Sequence, residues 1–481
     1  MIKKYISKTK NLQSGNFFQI LKKIWQAFSE AIRGSDRDFT QISINKAVVL
    51  LAIPMVLEMV MESVFAIVDI FFVSKLGADA IATVGITESV LTLIYAVAFG
   101  LAMGTNALVS RRIGEKNSKE AANEGVQSII TGLIVAIVIA IPGAIYAKDL
   151  LRIMGASPLI INEYSSFTAI MLGGNVVIML LFVNNAIFRG AGDAAVAMRV
   201  LWIANGINLI LDPLLIFGLG PFPELGVAGA AVATTTGRGI AVLYQFYILF
   251  SGKSRIKLGW HHIQFNFIKI RHLLSISAGG IFQSIIATTS WIFMVRIISH
   301  FGSTAVAAYT IAIRIIIFLL LPSWGLSNAA ATLVGQNLGA KHPERAEKSV
   351  WKVARINMVF LGVLSLAFIA MPGFFIKLFT HETEIIRLGS QCLRIISYGF
   401  IFYGLGMVLV QSFNGAGDTK TPTLFNLVAF WMIEIPLAYF LAIIADFKEN
   451  GVFYAIVIAE SSLALMAWYF FKKGKWKTQK V

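Results

Sequence analysis

Cysteine is nearly missing from this chain: Cys392 is the only one among 481 residues. Within one chain, that supply excludes a disulfide framework and a cysteine-based metal centre. Charge is scarce too, at 14% of residues, against roughly 25% in ordinary soluble domains. Signatures of catalysis fail one by one. Gly252-Lys253-Ser254 is like the end of a phosphate loop, but Tyr247 stands where the first glycine belongs, which removes ATP as the direct energy source. His381-Glu382 opens like a zinc-protease helix, yet the second histidine position is Ile385. Gly237 and Gly239 begin a dinucleotide pattern that ends at Val242, with no strand before it. Paired aspartates of the kind that hold magnesium diphosphate are absent as well. Neither an enzyme nor a cofactor is expected. Residues 1–15 have no apolar run ahead of a small-residue cleavage site, so no cleavable signal peptide is expected.

What the chain has in excess is apolar sequence, 57% of residues. It supplies twelve stretches of about 20 apolar residues, each enough to cross a bilayer as a helix. They fall near 47–73, 82–110, 126–147, 159–188, 196–218 and 226–250, then 272–299, 305–333, 351–372, 384–413, 422–445 and 451–471. The runs lack the two-residue alternation of an outer-membrane barrel. The expected fold is therefore an all-α membrane protein with 12 transmembrane helices. The net charge of +16 is explained by topology. With both termini inside, inner segments carry 31 Lys and Arg and outer loops 6, while Arg238, Arg296, Arg314 and Arg394 lie within spans. This positive-inside bias predicts a multi-pass protein of the inner (cytoplasmic) membrane with both termini cytoplasmic, in contact with anionic lipid and not with nucleic acid.

A constant offset of 225 residues runs through the chain. Gly190-Ala191-Gly192-Asp193 returns as Gly415-Ala416-Gly417-Asp418, and Gly77, Phe188 and Gly226-Val227 return as Gly302, Phe413 and Gly451-Val452. Such a period means two homologous six-helix lobes, a common frame for secondary transporters, with the substrate path between them. Five segments are expected. Residues 1–45 form a cytoplasmic, amphipathic, basic N-terminal segment, with 16–33 patterned as an interfacial helix. Residues 46–250 form the first lobe, 251–271 a cytoplasmic linker, 272–471 the second lobe, and 472–481 a basic tail.

The ionisable residues inside the spans do not repeat. Asp69 and Asp212 fall onto Met294 and Leu437, and the second lobe instead has Arg296, Arg314, Glu434 and Glu460. A charge at bilayer depth is costly and marks a candidate functional site. Asn208 and Asp212 are four residues apart on one helix face. With Asn184, Asn185, Asn205, Thr234 and Thr235 nearby in the spans, they offer hard oxygen ligands for Na⁺ or a carboxylate for H⁺. Glu58 and Glu62, one turn apart, are candidates for the substrate cavity. So are Arg296, Arg314, Glu434 and Glu460, with the two glutamates alternatively pairing with one of the two arginines. Asp193 and Asp418 are expected at turns, in capping roles.

The chain resembles the multidrug and toxic compound extrusion transporters over about residues 45–471. The residues that carry this are Val68-Asp69-Ile70, Val73-Ser74-Lys75-Leu76-Gly77, the two GAGD turns, Leu211-Asp212-Pro213 and Gly226-Val227-Ala228-Gly229-Ala230-Ala231. The resemblance implies V-shaped lobes and efflux of organic, cationic or amphipathic small molecules in exchange for H⁺ or Na⁺ by alternating access. Within the family the chain is similar to the DinF-like branch. That likeness implies a coupling site at Asp69, Asn208, Asp212, Asn185 and Thr234, a Na⁺ position limited to Asp69, Asn208 and Asp212, and a first-span hinge at Pro54. The longer loop Pro221–Glu224 departs from the pattern and affects the register of Thr234. A monomer is expected. The alternative is a flippase for a lipid-linked saccharide or other amphipathic lipid of the same superfamily.

Overall fold

A computed structural model describes residues 22, 25–259, 262 and 264–479, with backbone alone at 66, 67, 69 and 70. Residues 16–21, 23 and 24 of the expected interfacial helix lie outside the described residues, while residues 25–33 are helical (α1). The first lobe then runs α2 (Ile44–Ser74), α3 (Ala78–Gly114), α4 (Ser118–Ile145), α5 (Ala147–Ile153), α6 (Ser165–Gly173), α7 (Asn175–Ala191), α8 (Ala194–Ile216) and α9 (Val227–Ser251). The second runs α10 (Phe267–Ile298), α11 (Ser303–Gly339), α12 (Pro343–Ala370), α13 (Pro372–Lys377), α14 (Thr383–Ser397), α15 (Phe400–Ala416), α16 (Lys420–Asn426), α17 (Ile435–Tyr439) and α18 (Glu449–Lys473). No strand occurs among the described residues. Helices α3 and α11 begin at 78 and 303 and end at 114 and 339; α7 and α15 begin at 175 and 400 and end at 191 and 416. Each of these pairs of boundaries is 225 residues apart.

Ten helical segments among the described residues are long and apolar enough to cross a membrane, and eleven if α14 and α15 form one span. The stretch expected as one helix at 384–413 is thus two, bent by 57° between Ser397 and Phe400. The chain is a multi-pass membrane protein. Its outer helix faces show why: Val359, Val363 and Leu366 on α12 are each more than 60% exposed at helical spacing. Water would penalise such a stripe, whereas acyl chains satisfy it.

Each lobe's first helix crosses to the other lobe. The early part of α2, from Ala47 to Met55, is buried among Leu326, Ala330, Val334 and Val350 of α11 and α12. A Cβ at Gly325 of α11 would press on the Met55 carbonyl at 2.6 Å. Reciprocally, α10 packs on α3, where Gly100 and Gly104 meet Ile281, Ser277 and Leu273. Small residues allow this approach because a side chain at either position would hold the backbones apart.

One end of the bundle, rich in Lys and Arg, is closed. Gly114 and Gly339, the last residues of α3 and α11, touch the Gln336 and Arg111 carbonyls so closely that a Cβ on either glycine would collide. Residues 34–42 strap this end. Arg255 donates to the carbonyls of Ser35 and Arg37 and lies over the Phe39 ring at 4.6 Å. Arg345 on α12 donates to the carbonyls of Phe39 and Ile42. The tail closes the same face: Trp476 stacks on Phe471 at 4.7 Å, Lys477 pairs with Glu347 at 2.6 Å, and Arg111 of the first lobe donates to the Gln479 carbonyl. The two GAGD turns share a backbone. Gly192 and Gly417 take φ of 91° and 88°, a left-handed helix end that glycine adopts without strain. Their aspartates differ in use. Asp193 accepts from Ser254 and the Arg255 amide, while Asp418 accepts from Thr421 in the first turn of the helix that follows it.

Candidate functional site

The fifth span, α8, carries the centre of the site. Asp212 is fully buried and Asn208 nearly so. Their four-residue spacing places them on one face, and the Asn208 amide donates to the Asp212 carboxylate at 3.1 Å and to the Thr234 hydroxyl on α9 at 3.2 Å. The side-chain oxygen Oδ1 of Asn208 is buried and receives no hydrogen bond from the described residues. A buried acceptor in that state is costly unless something electropositive reaches it. Pro213 follows directly and has no amide to offer the Leu209 carbonyl, which loosens the helix ladder next to the carboxylate. The Asp69 carboxylate lies outside the described side chains; its backbone is in α2. Among the described residues no three His, Cys, Asp or Glu side chains group as metal ligands. A cation here would therefore rely on one carboxylate with amide and hydroxyl oxygens, a donor set that suits Na⁺ or H⁺.

Asn185 sits in a different cluster. Its amide donates to Glu58 at 3.2 Å and its oxygen accepts from Gln245 at 2.8 Å, while Gln245 also accepts from Asn184 at 3.1 Å. Glu58 of α2 pairs with Arg189 of α7 at 2.9 Å. This ties α2, α7 and α9 together, with Glu58 Oε2 and Asn184 Oδ1 left as buried acceptors that no described donor reaches. Arg189 was not singled out in the sequence because it counts toward the basic flank of a span. Its signal was the four-residue spacing from Asn185, which puts both on the Glu58 side of α7.

Glu62, one turn beyond Glu58, faces Arg238 of α9 at 3.6 Å. Arg238 is nearly buried, donates to the Tyr95 hydroxyl at 2.9 Å, and lies over the Phe65 ring at 5.0 Å. A small cavity opens there, lined by Phe65, Glu88, Tyr95, Phe167, Thr234 and Arg238. Thr234 is thus shared between this cavity and the Asp212 cluster. Of the two readings open for the second-lobe charges, the ion pairs do not occur among the described residues. Glu434 is buried and accepts from Ser290 at 2.5 Å, and Glu460 is hydrogen-bonded to Tyr403. Arg296 and Arg314 are exposed on their helices, with no acid at ion-pair distance among the described residues. A neutral hydroxyl satisfies a buried carboxyl without importing a second charge, which is why the glutamates find Ser290 and Tyr403 first.

Pro54 stands where α2 changes partners, between a part buried against the second lobe and the part bearing Glu58 and Glu62. Its ring removes the hydrogen bond to the Leu50 carbonyl, so α2 has its weakest point at that changeover.

The MatE family model matches residues 54–214 and again 280–440. The chain belongs to the MatE family of multidrug and toxic compound extrusion transporters. It is 25% identical over 452 residues to the probable multidrug resistance protein YoeA of Bacillus subtilis, covering 91% of this chain and 96% of that one. It is 26% identical over 413 residues to a protein named FAD transporter in Shewanella oneidensis, covering 84% and 89%. A solved multidrug resistance MATE transporter in its outward-facing conformation superposes with a TM-score of 0.85 at 25% identity, covering 90% of this chain and 96% of that one.

Proposed function

We propose that this MatE chain is a secondary active antiporter that exports amphipathic organic compounds and takes up H⁺ or Na⁺ in return. The observation that carries the reading is the buried Asn208–Asp212–Thr234 cluster, whose acid has Leu437 as its counterpart in the second lobe. A cation entering from the open side reaches Asp212, with Asn208 Oδ1 and Asp69 as further oxygen donors. Neutralising the buried carboxylate weakens the charge-assisted hydrogen bond that the Asn208 amide gives it. Asn208 then lets go of α9, α2 bends at Pro54, and the lobes rock so that the cavity changes sides. Helix α9 is the sixth span of the first lobe and brings the count to twelve: at 25 residues it has the length, and its Thr and Arg content is accommodated because that face is buried inside the lobe. The basic end is cytoplasmic, as are both termini, and the lobes at 46–250 and 272–471 work as one monomer. The relative named for FAD supports a substrate range that includes aromatic anions as well as cations.

The test is gradient-driven efflux of an amphipathic dye from proteoliposomes under an imposed pH or Na⁺ gradient. Asp212→Asn is expected to abolish it, and the gradient that drives the wild type identifies the ion. Unchanged efflux by both Asp212→Asn and Asp69→Asn would remove this site from the mechanism.

A further inference from the structure

We propose that Phe39 is a latch between the lobes: its ring seats on the first lobe, its carbonyl is held by the second, and one hold must break before the basic end opens. The latch rests on the alternating-access reading and adds the contact that keeps one of its end states shut.

The ring side is built from the first GAGD turn. Phe39 is 1% exposed, and a Cβ on Gly192 would stand 2.6 Å from its Cε2 atom. Glycine at that turn makes the seat, because a methyl group would fill it. The Arg255 guanidinium covers the ring at 4.6 Å and donates to the Ser35 and Arg37 carbonyls of the same strap. Asp193 aims that arginine. One of its carboxylate oxygens accepts from the Ser254 hydroxyl and the Arg255 amide, and the other lies 3.3 Å from Nε of Arg255. The repeat marks this as an added use of the turn. Asp418, 225 positions on, accepts at both oxygens from Thr421 and so caps a helix.

The carbonyl side belongs to the second lobe. Arg345 of α12 donates to the carbonyls of Phe39 and Ile42. Two residues after Ile42 the chain enters α2, whose first turns are buried among α11 and α12. Ala346 and Val350 of α12 share the apolar cluster of Phe39 with Ala194 of α8. Ring and carbonyl of one residue are thus bound to different lobes, as two links in series. Each link stabilises the closed end, by a buried ring on one side and by hydrogen bonds from a charged donor on the other. In the proposed cycle the lobes part at this end, and a rigid movement of one against the other breaks at least one link.

The reactivity of a buried cysteine in the seam reads this opening without needing transport. In the purified full chain with Cys392→Ala, Thr332→Cys is such a reporter, since Thr332 is buried and bonds Asn106 of α3. Arg255→Gln and Arg345→Gln, one on each side of the strap, are each expected to raise its maleimide rate about tenfold, the size of one hydrogen bond from a charged donor. Phe39→Ala should raise it as well. The double Arg255→Gln, Arg345→Gln protein is expected to react no faster than the quicker single variant, because a chain broken at one link gains nothing from a second break. Effects of separate local destabilisation would add instead. Lys348→Gln removes a charge from an exposed position three residues further along α12 and is expected to leave the rate unchanged. An unchanged rate in Arg345→Gln or Phe39→Ala, additive effects in the double variant, or an equal rise in Lys348→Gln would overturn the latch. The two readings fail separately. Gradient-driven efflux with unchanged cysteine reactivity keeps the antiporter and removes the latch. Raised, non-additive reactivity in a protein that moves no dye under any gradient does the reverse.

Discussion

The Glu58 carboxylate and the Arg189 guanidinium meet at 2.9 Å between α2 and α7, both largely out of solvent. Removing one partner leaves the other charge buried alone, at a cost of about 3–5 kcal/mol. Glu58→Ala is therefore expected to lower the unfolding temperature strongly in detergent. The double variant Glu58→Met with Arg189→Met is expected to recover most of the loss. If the double variant is as unstable as the single one, the pair is not what holds these helices together.

The Asn208 amide bridges a carboxylate and a hydroxyl, and on the proposed antiport reading it is expected to set the cation affinity of Asp212 more than the fold. Asn208→Ala is expected to raise the cation concentration for half-maximal efflux about tenfold, the loss of one hydrogen bond to a charged group. Thr234→Val should act in the same direction with a smaller shift. Cation titrations of both variants at saturating substrate would show whether that order holds.

Pro54 weakens α2 where it passes from one lobe to the other. Pro54→Ala restores the missing amide and is expected to stabilise the helix; a proline in a helix interior costs about 3 kcal/mol when unsupported. Turnover should fall while substrate binding is retained. A variant with raised thermal stability and full turnover would mean that the first span does not bend there.

Two acids at this end lie outside the spans, Glu30 on α1 and Asp38 in the strap. Lys46 and Arg37 hold the Glu30 carboxyl below its ordinary value of 4.5. Burial pushes Asp38 upward, but the Thr40 hydroxyl and amide, with the charges of Lys116 and Arg255, outweigh it and leave it below 3.8. Carboxyls depressed in the folded state stabilise above their unfolded values and lose that contribution as pH falls through the folded ones. The mobility of a spin label at residue 36 is therefore expected to stay flat from about pH 8 to 5 and to rise below about pH 4. A rise already at pH 6 would point to groups other than these.

The glycine contact at the basic end is equally exposed to test. Gly339→Ala puts a methyl group into the Arg111 carbonyl and is expected to open this end. In a Cys392→Ala background, Thr332→Cys is buried in the present state and should react faster with maleimide once Gly339→Ala is added. An unchanged rate would show that the end closes without that contact.

The helices and the Asp212 cluster were legible because their signals are local: apolar run length, and four-residue spacing between Asn208 and Asp212. The 225-residue offset could be read in the same way, and it pointed to the acids that lack a counterpart. Glu58–Arg189 was not legible, since the two residues are 131 positions apart and nothing periodic relates them. For Glu434 and Glu460 the sequence left two readings open, a cavity lining or a pairing with Arg296 or Arg314, because it counts charges and cannot weigh a nearby hydroxyl; Ser290 and Tyr403 carry no charge to count. The exchange of first helices between lobes was hidden for a similar reason. An apolar helix reads the same whichever neighbour it packs on.

The clasp at the basic end joins Arg111 to Gln479, 368 residues later in the chain. During synthesis, then, this last contact between the first lobe and the tail waits until almost the whole described chain has been translated, long after Gly339 and Arg345 have been made. Until then Arg111 lacks this acceptor and the Phe471 ring lacks the Trp476 that stacks on it.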